Sequence, residues 1–328
     1  MNSHSVLPPL VFDPIYRHYI WGGRRFADAF GRSLPTGDDY AESWELVDRG
    51  SDQSVVALGP DAGMTLGAIV RSRADDLLGR HASLSAFPLL FKFLDANKDL
   101  SVQVHPDDTR AAMLNPPDKG KTEAWYIIDA KPGSQIYAGL KSGTTRKDLS
   151  QALTTGCLES ILHTFEPKSG DCLFIPAGTV HAIGAGLLVA EIQQSSDVTY
   201  RLHDWNRLGQ DGKPRDLHVD AGLEAITHFC PVNPQKRKPT DDPCVKRLVT
   251  NDYFLLDEVS IDKPWHLGGD KSCHFLAVIS GCICLDAHWN LPKLHAGSCV
   301  LFPASLDRQY IAPENTDQKA IILHTYLP

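Results

Sequence analysis

Leu100-Ser-Val-Gln-Val-His-Pro106 reads as a β-strand, in which residues two apart face the same way. Gln103 and His105 therefore project together into one space. Glu123 opens a second apolar run, Ala124-Trp-Tyr-Ile-Ile128. His181 follows a third, Phe174-Ile-Pro-Ala-Gly-Thr-Val180, read as a strand ended by a Pro/Gly turn. Two imidazoles, a carboxylate and an amide oxygen brought from three strands suit a borderline divalent cation such as Zn²⁺. The quartet Gln103, His105, Glu123 and His181 leaves coordination positions for water or substrate, which predicts a catalytic rather than a structural ion.

The surrounding chain is consistent with a β-rich protein. Short apolar segments separated by Gly, Pro, Asn and Asp predict strands over Phe87–Asp95, Leu100–Val104, Ala124–Asp129, Ser134–Ala138, Asp171–Ile175, Leu187–Gln193 and Phe275–Ile279. Helical spacing predicts helices over Thr65–Leu78, capped by Thr65 and stopped by Gly79, and over Thr145–Leu162. Asp220–Thr227 is a shorter candidate. Pro, Lys, Asn and Asp cluster over Cys230–Lys246, which reads as a linker with Lys236-Arg-Lys238 solvated. Gly170-Asp-Cys-Leu-Phe-Ile-Pro176 is echoed by Gly297-Ser-Cys-Val-Leu-Phe-Pro303. The place five residues past the first proline is His181, and past the second it is Arg308, which does not bind metals. The echo implies two related barrels, of which only the first keeps a metal.

Bulk properties narrow the partners. At 328 residues the chain is long enough for two units or one large one. A formal charge of −8 argues against nucleic acid or an anionic membrane as the main partner. The first ten residues lack a leader-like charged and apolar pattern, and no apolar stretch reaches spanning length. The eight cysteines contain no Cys-x-x-Cys, so a reduced, cytoplasmic protein is expected. Cys282 and Cys284 share a strand face; two small buried thiols are the ordinary reading and a soft metal pair the sharper one.

Gly170–Gly184 resembles the second cupin motif, with Ala185 where that motif has asparagine. Gln103-x-His105 with a distant Glu123 is a variant of the first. Together with Trp21-Gly-Gly, Ala41-Glu-Ser-Trp-Glu-Leu46, Pro88-Leu-Leu-Phe-Lys-Phe-Leu-Asp-Ala96, Gly120-Lys-Thr-Glu-Ala-Trp125 and Glu191–Trp205, this resembles the class I mannose-6-phosphate isomerases, in their short bacterial form. The resemblance runs through most of the first 230 residues and thins in the last eighty.

The resemblance implies a mainly β, bicupin-like fold of jelly-roll barrels with a small helical insertion. A catalytic unit would cover residues 1–235, with helical elements near 65–80 and 145–163, and a degenerate cupin-like unit 245–328. It implies one Zn²⁺ per chain on the quartet and interconversion of mannose 6-phosphate and fructose 6-phosphate through an enediol(ate). Arg201 maps onto the family's active-site arginine and Lys121 onto a lysine near the metal. Glu42, Ser101, Glu191 and Asp197 map onto polar positions lining the sugar pocket. Arg207 is a loop cation available to the phosphate. Glu191 and Asp197 are the candidate proton carriers, with ordinary structural carboxylates as the competing reading. The expected partner is a small sugar phosphate, and the expected assembly a monomer or small homo-oligomer. The rival readings are isomerisation of another sugar phosphate and a non-catalytic, sugar-binding regulatory cupin; a cupin dioxygenase would want more histidines.

Overall fold

The computed structural model describes residues 6–209 and 212–328; the leader reading of the first ten residues falls partly on 1–5, outside that range. The predicted strands form, most of them within two residues of their expected limits, and all named pairings between them are antiparallel. A six-stranded sheet runs in the order Ile15–Gly23, Tyr40–Leu46, Leu89–Ala96, Leu187–Gln194, Glu123–Ala130, Cys172–Ile175. Five shorter strands face it in the order Tyr200–His203, Val102–Val104, His181–Ile183, Ile136–Leu140, Leu162–Phe165. The fold is therefore mainly β, as expected, with helices at the margins.

One expectation is corrected here. His181 does not sit at the exit of the preceding strand. That strand ends at Ile175, the chain turns through Pro176-Ala-Gly-Thr, and His181 begins a new strand in the opposite sheet. The turn explains the change: Gly178 has φ +85°, a conformation that favours glycine, and Thr227 Oγ1 lies 2.1 Å from where its Cβ would stand. Crossing between sheets places His181 directly opposite Gln103.

The helices are shorter than predicted. Thr65 caps as expected, accepting from the Ala68 amide, but the helix breaks at Arg73 into Leu66–Ser72 and Ala74–Leu78. Arg73 leaves the helical region and its guanidinium pairs with Asp61 and Asp76. Thr145 and Asp148 form a reciprocal capping box for Arg146–Thr155. Gly156, left-handed at φ 70°, ends that helix before a single 3₁₀ turn, so Thr145–Leu162 is not continuous. The third helix is Val219–Ala225. Two short helices, Arg25–Phe30 and Asp108–Ala111, were not anticipated.

The C-terminal strands repeat the arrangement. Their larger sheet runs Lys238–Pro239, Val245–Thr250, Leu255–Ile261, Ala320–Tyr326, His274–Ser280, Cys299–Phe302, faced by Trp265–Leu267, Gln309–Pro313, Cys282–Leu285 and Leu294–His295. The two echoed segments, Cys172–Ile175 and Cys299–Phe302, occupy the same edge of their respective larger sheets. Shared apolar packing joins the halves: Phe91 stacks obliquely on Phe275 with centroids 4.9 Å apart, and Leu10 and Leu301 exchange both backbone hydrogen bonds at 2.8 Å. The Cys230–Lys246 stretch is not a free tether. Val232 and Gln235 donate to Ala138 and Cys172 of the first half, and Arg237, expected to be solvated, binds Glu258 and the Gly170 carbonyl.

Inside the C-terminal barrel the position matching Glu123 is His274, since both open the strand that pairs with the echoed segment. Its nitrogens are already used: Nδ1 lies 2.9 Å from His324 Nε2 and Nε2 lies 2.9 Å from Asp270. Burial pushes His324 well below the usual imidazole range, with His274 and Arg247 adding to the effect. Burial also lowers His274, against the pull of Asp270 and with that of Arg80. Asp257, 3.9 Å from His324, and Tyr326 complete the surroundings. Because the folded pKa values lie below the unfolded value of about 6.5, the unfolded chain takes up protons first as pH falls. Stability should therefore drop from about pH 6.5 downward, by up to about 1.4 kcal/mol per pH unit for each histidine. Thermal unfolding of zinc-loaded protein from pH 7.5 to 5 checks this: His324→Gln should flatten the slope, and an unchanged slope would remove these histidines from the account.

Candidate active site and metal centre

Three strands converge on one buried point of the N-terminal barrel. Val102–Val104 carries Gln103 and runs into His105; Glu123 and His181 each open a strand. His105 Nε2 stands 3.6 Å from Glu123 Oε2, and His181 Nε2 stands 3.4 Å from Glu123 Oε1. All three residues are almost wholly buried, and their donor atoms lie within 4.8 Å of one another. The second nitrogens are spoken for: His105 Nδ1 lies 2.9 Å from the Val198 carbonyl and His181 Nδ1 2.9 Å from that of Thr179. Those contacts fix the tautomer in which Nδ1 donates and the Nε2 lone pair is free for a metal.

The strongest sign of a missing cation is unmet polarity. His105 Nε2 and Glu123 Oε1 are buried with no hydrogen-bond partner, and Glu123 Oε2 has only the Lys121 ammonium at 3.2 Å. Buried polar atoms normally find partners, and leaving them without costs free energy. A divalent ion satisfies all of them at once, so the residues fit the group. Gln103 stands beside them, its amide nitrogen 3.3 Å from His181 Nε2; a ligand role would need the flipped amide, which presents Oε1 there. Trp125 lies edge-on to His181 at 5.3 Å and closes the floor.

Burial dominates the electrostatics. It pushes His181 down to about 4 and His105 well below its usual range, and the Lys121 ammonium lowers both. Both imidazoles are thus neutral near pH 7, the form that ligates. Burial, then the Glu191 charge, push Glu123 up to about 7, against Lys121, which sits 3.2 Å from Oε2.

A cavity of about 300 Å³ opens beside this centre, with Gln103 and Lys121 in its wall. Glu42, Ser101, Gln103, Lys121, Glu191, Asp197 and Arg201 all line it, so most of the residues singled out from sequence are brought together. Glu191 is buried on a central strand, and Asp197 is exposed on the loop that follows. Arg201, paired in register with Gln103, donates to the Asp216 carbonyl at 2.9 Å while its Nε is buried without a partner. Arg207 is the exception. It is tied to Asp204 and the Asp99 carbonyl and does not line the cavity; Arg215, which also pairs with Asp204, does.

The family model for the catalytic domain of type I phosphomannose isomerase matches residues 10–124. Mannose-6-phosphate isomerase ManA of Bacillus subtilis is 38% identical over 277 residues, 83% of this chain and 86% of its own length. The chain belongs to the type I mannose-6-phosphate isomerase family. The mannose-6-phosphate isomerase of Streptococcus mutans is 37% identical over 225 residues, 69% of this chain and 70% of its own. The crystal structure of a B. subtilis mannose 6-phosphate isomerase superposes with TM-score 0.89 at 30% identity, covering 98% of this chain and all of that one. The fold is shared by the Salmonella typhimurium phosphomannose isomerase at 14% identity and TM-score 0.79. Bicupin architecture and enzyme class thus follow from family membership.

Within this isomerase, sequence reasoning missed Lys92. It is buried on Leu89–Ala96, in register with Glu191 on one side and Trp44 on the other. Its ammonium lies 3.0 Å from Glu191 and 3.3 Å from Glu42, whose other contact is the Trp44 indole N–H at 2.6 Å. Burial disfavours the charge on Lys92, but Glu191 and Glu42 outweigh it and hold the ammonium protonated. A lysine inside the apolar run Leu89–Leu94 was the available signal. Tyr19 and Trp21 also line the cavity, Trp21 being buried at its wall. Two solitary histidines have structural partners, His163 bonding Asn233 and His203 facing Glu159.

Proposed function

We propose that this enzyme interconverts mannose 6-phosphate and fructose 6-phosphate through an enediol(ate), with Zn²⁺ on Gln103, His105, Glu123 and His181. One observation carries the reading: a buried His–Glu–His set with unmet ligand atoms lies beside Gln103 and Lys121, which line a cavity together with Lys92, Arg201 and Arg215. The ion, when bound, supplies Lewis-acid polarisation of the sugar carbonyl. Everything else falls to the chain. The cavity lies at the small end of the roughly 300–1,000 Å³ range of ligand sites, which suits one hexose phosphate.

Glu191 is the proposed base. Burial pushes its carboxyl up, but Lys92 and then Lys121 more than offset this and keep it ionised. It accepts the proton from C2 and returns it to C1 on the same face, while its strand holds it in place. Asp197, on the exposed loop, is better suited to bind a sugar hydroxyl. Arg201 has a free Nε–H and a rigid fork of donors; with Lys121 it stabilises the charge that grows on the enediolate oxygens. Arg201 and Ser101 receive the phosphate together with Arg215, which stands in for Arg207 as the loop cation. Residues 1–235 form the catalytic unit in this reading, and 245–328 a degenerate copy whose interior histidines bind each other.

A coupled assay on metal-stripped protein, with Zn²⁺, Mn²⁺ or Co²⁺ returned, tests the proposal. Mannose 6-phosphate should turn over only after metal is restored, with glucose 6-phosphate and free mannose poor by comparison. Full activity without metal, or preference for glucose 6-phosphate, overturns it.

A further inference from the structure

The second chemical cluster of the molecule lies on the outside of the C-terminal barrel. Cys282 is on a central strand of the smaller sheet, paired with His295 on one neighbour. On the other side, Ile283 pairs with Pro313, and the Glu314 amide donates to the Cys282 carbonyl at 2.9 Å. Three potential ligands therefore stand in a row across three adjacent strands. Ile283 and Leu294 point into the apolar core, so by alternation the row faces outward. His295 and Glu314 are exposed and Cys282 is half-buried, which corrects the reading of Cys282 and Cys284 as two small buried thiols.

The donor atoms are close enough to share an ion. Cys282 Sγ is 4.0 Å from His295 Nε2, and the three donor atoms fall within 4.8 Å of one another. With metal–sulfur and metal–nitrogen bonds of about 2.3 and 2.0–2.1 Å, a tetrahedral ion between them requires only small side-chain movements. We propose that Cys282, His295 and Glu314 form a second, solvent-facing site for a thiophilic divalent cation of the Zn²⁺ class. Thiolate, imidazole and carboxylate are the donor types that such an ion takes. The fourth position is open to water. Cys284, two residues along the same face, supplies a second thiol beside the site.

Two features of the metal-free arrangement define how binding proceeds. The Cys282 thiol donates to the Ile283 carbonyl at 4.0 Å; burial first, and then the nearby Glu314 carboxylate, push it up to about 11. Binding exchanges this proton for the ion: the proton leaves to solvent and the sulfur lone pair goes to the metal. Lys293 holds Glu314 at 2.6 Å and opposes the incoming charge. Both members of that pair are exposed, so the pair itself is a weak obstacle. The ion is additional to the one expected per chain in the catalytic barrel.

Cobalt distinguishes the two sites, because sulfur-to-cobalt charge transfer absorbs in the near ultraviolet and the catalytic ligands contain no sulfur. Reduced enzyme carrying a single equivalent of Zn²⁺, held by the catalytic barrel with the outer cluster left clear, should develop that band as one further equivalent of Co²⁺ binds. Cys282→Ser should abolish the band, and His295→Ala should weaken binding by at least the roughly 10–100-fold that losing a ligand's supporting partner costs. Both variants should keep isomerase activity and near-native unfolding temperatures. Lys293→Ala should tighten binding severalfold. No band in the wild type, an equal band in Cys282→Ser (pointing to the exposed Cys157 or Cys230 instead), or no tightening in Lys293→Ala would overturn the site.

Discussion

Replacing His181 with alanine should empty the catalytic centre and all but abolish turnover while the chain stays folded. His181 is fully buried and faces Glu123 and Gln103; its Nδ1 is anchored on Thr179. Losing one of two imidazoles leaves Glu123 and His105 short of a tetrahedral set. Lewis-acid stabilisation is worth several kcal/mol, so activity should fall by on the order of a thousandfold or more. Metal should be counted in a Cys282→Ser background, so that the outer cluster does not contribute. One tightly held equivalent in His181→Ala, or activity within about tenfold of the parent, would remove His181 from the ligand set.

The Lys92→Met variant should show the second large effect, on both stability and rate. Glu42 and Glu191 share this one buried ammonium. Taking away one partner of a buried ion pair costs roughly 3–5 kcal/mol, because a charge is left uncompensated. In the parent, burial raises the Glu191 pKa and Lys92 pulls it back below the usual value. Without Lys92 burial wins, the folded pKa rises, and the base is protonated over more of the neutral range. The acidic limb of the kcat/KM profile should therefore move to higher pH, with turnover partly recovered in alkali. A purely structural lysine would lower the unfolding temperature and leave the profile where it was, and that result would sink the role.

Much of the site is local chemistry. Gln103 and His105 share a face because strands alternate, and that alternation is written in residues 100–106. The echo of 170–176 in 297–303 correctly matched two strands at equivalent edges. The start of the second helical stretch at Thr145 was equally visible, but its stop at Gly156 was not, and the reading ran on to Leu162. Where a break depends on distant partners, as at Arg73 with Asp61, the pattern alone ran the helix on.

The sequence by itself determined the β class and the two-barrel plan, and it singled out the residues of the proposed metal quartet. These depend on periodicity, turn residues and donor types, all properties of short segments. Only the tertiary structure decided which charges meet. Arg207 and Arg215 are both loop cations near Asp204, and it is the path of the chain that brings Arg215 to the cavity and ties Arg207 to Asp99. Lys92 becomes the shared counter-ion of Glu42 and Glu191 because three non-consecutive strands lie side by side. Cys282, His295 and Glu314 are spread over more than thirty positions and meet for the same reason. Sheet register joins residues that are distant along the chain, and pairing energies depend on that distance in space, which no local pattern records.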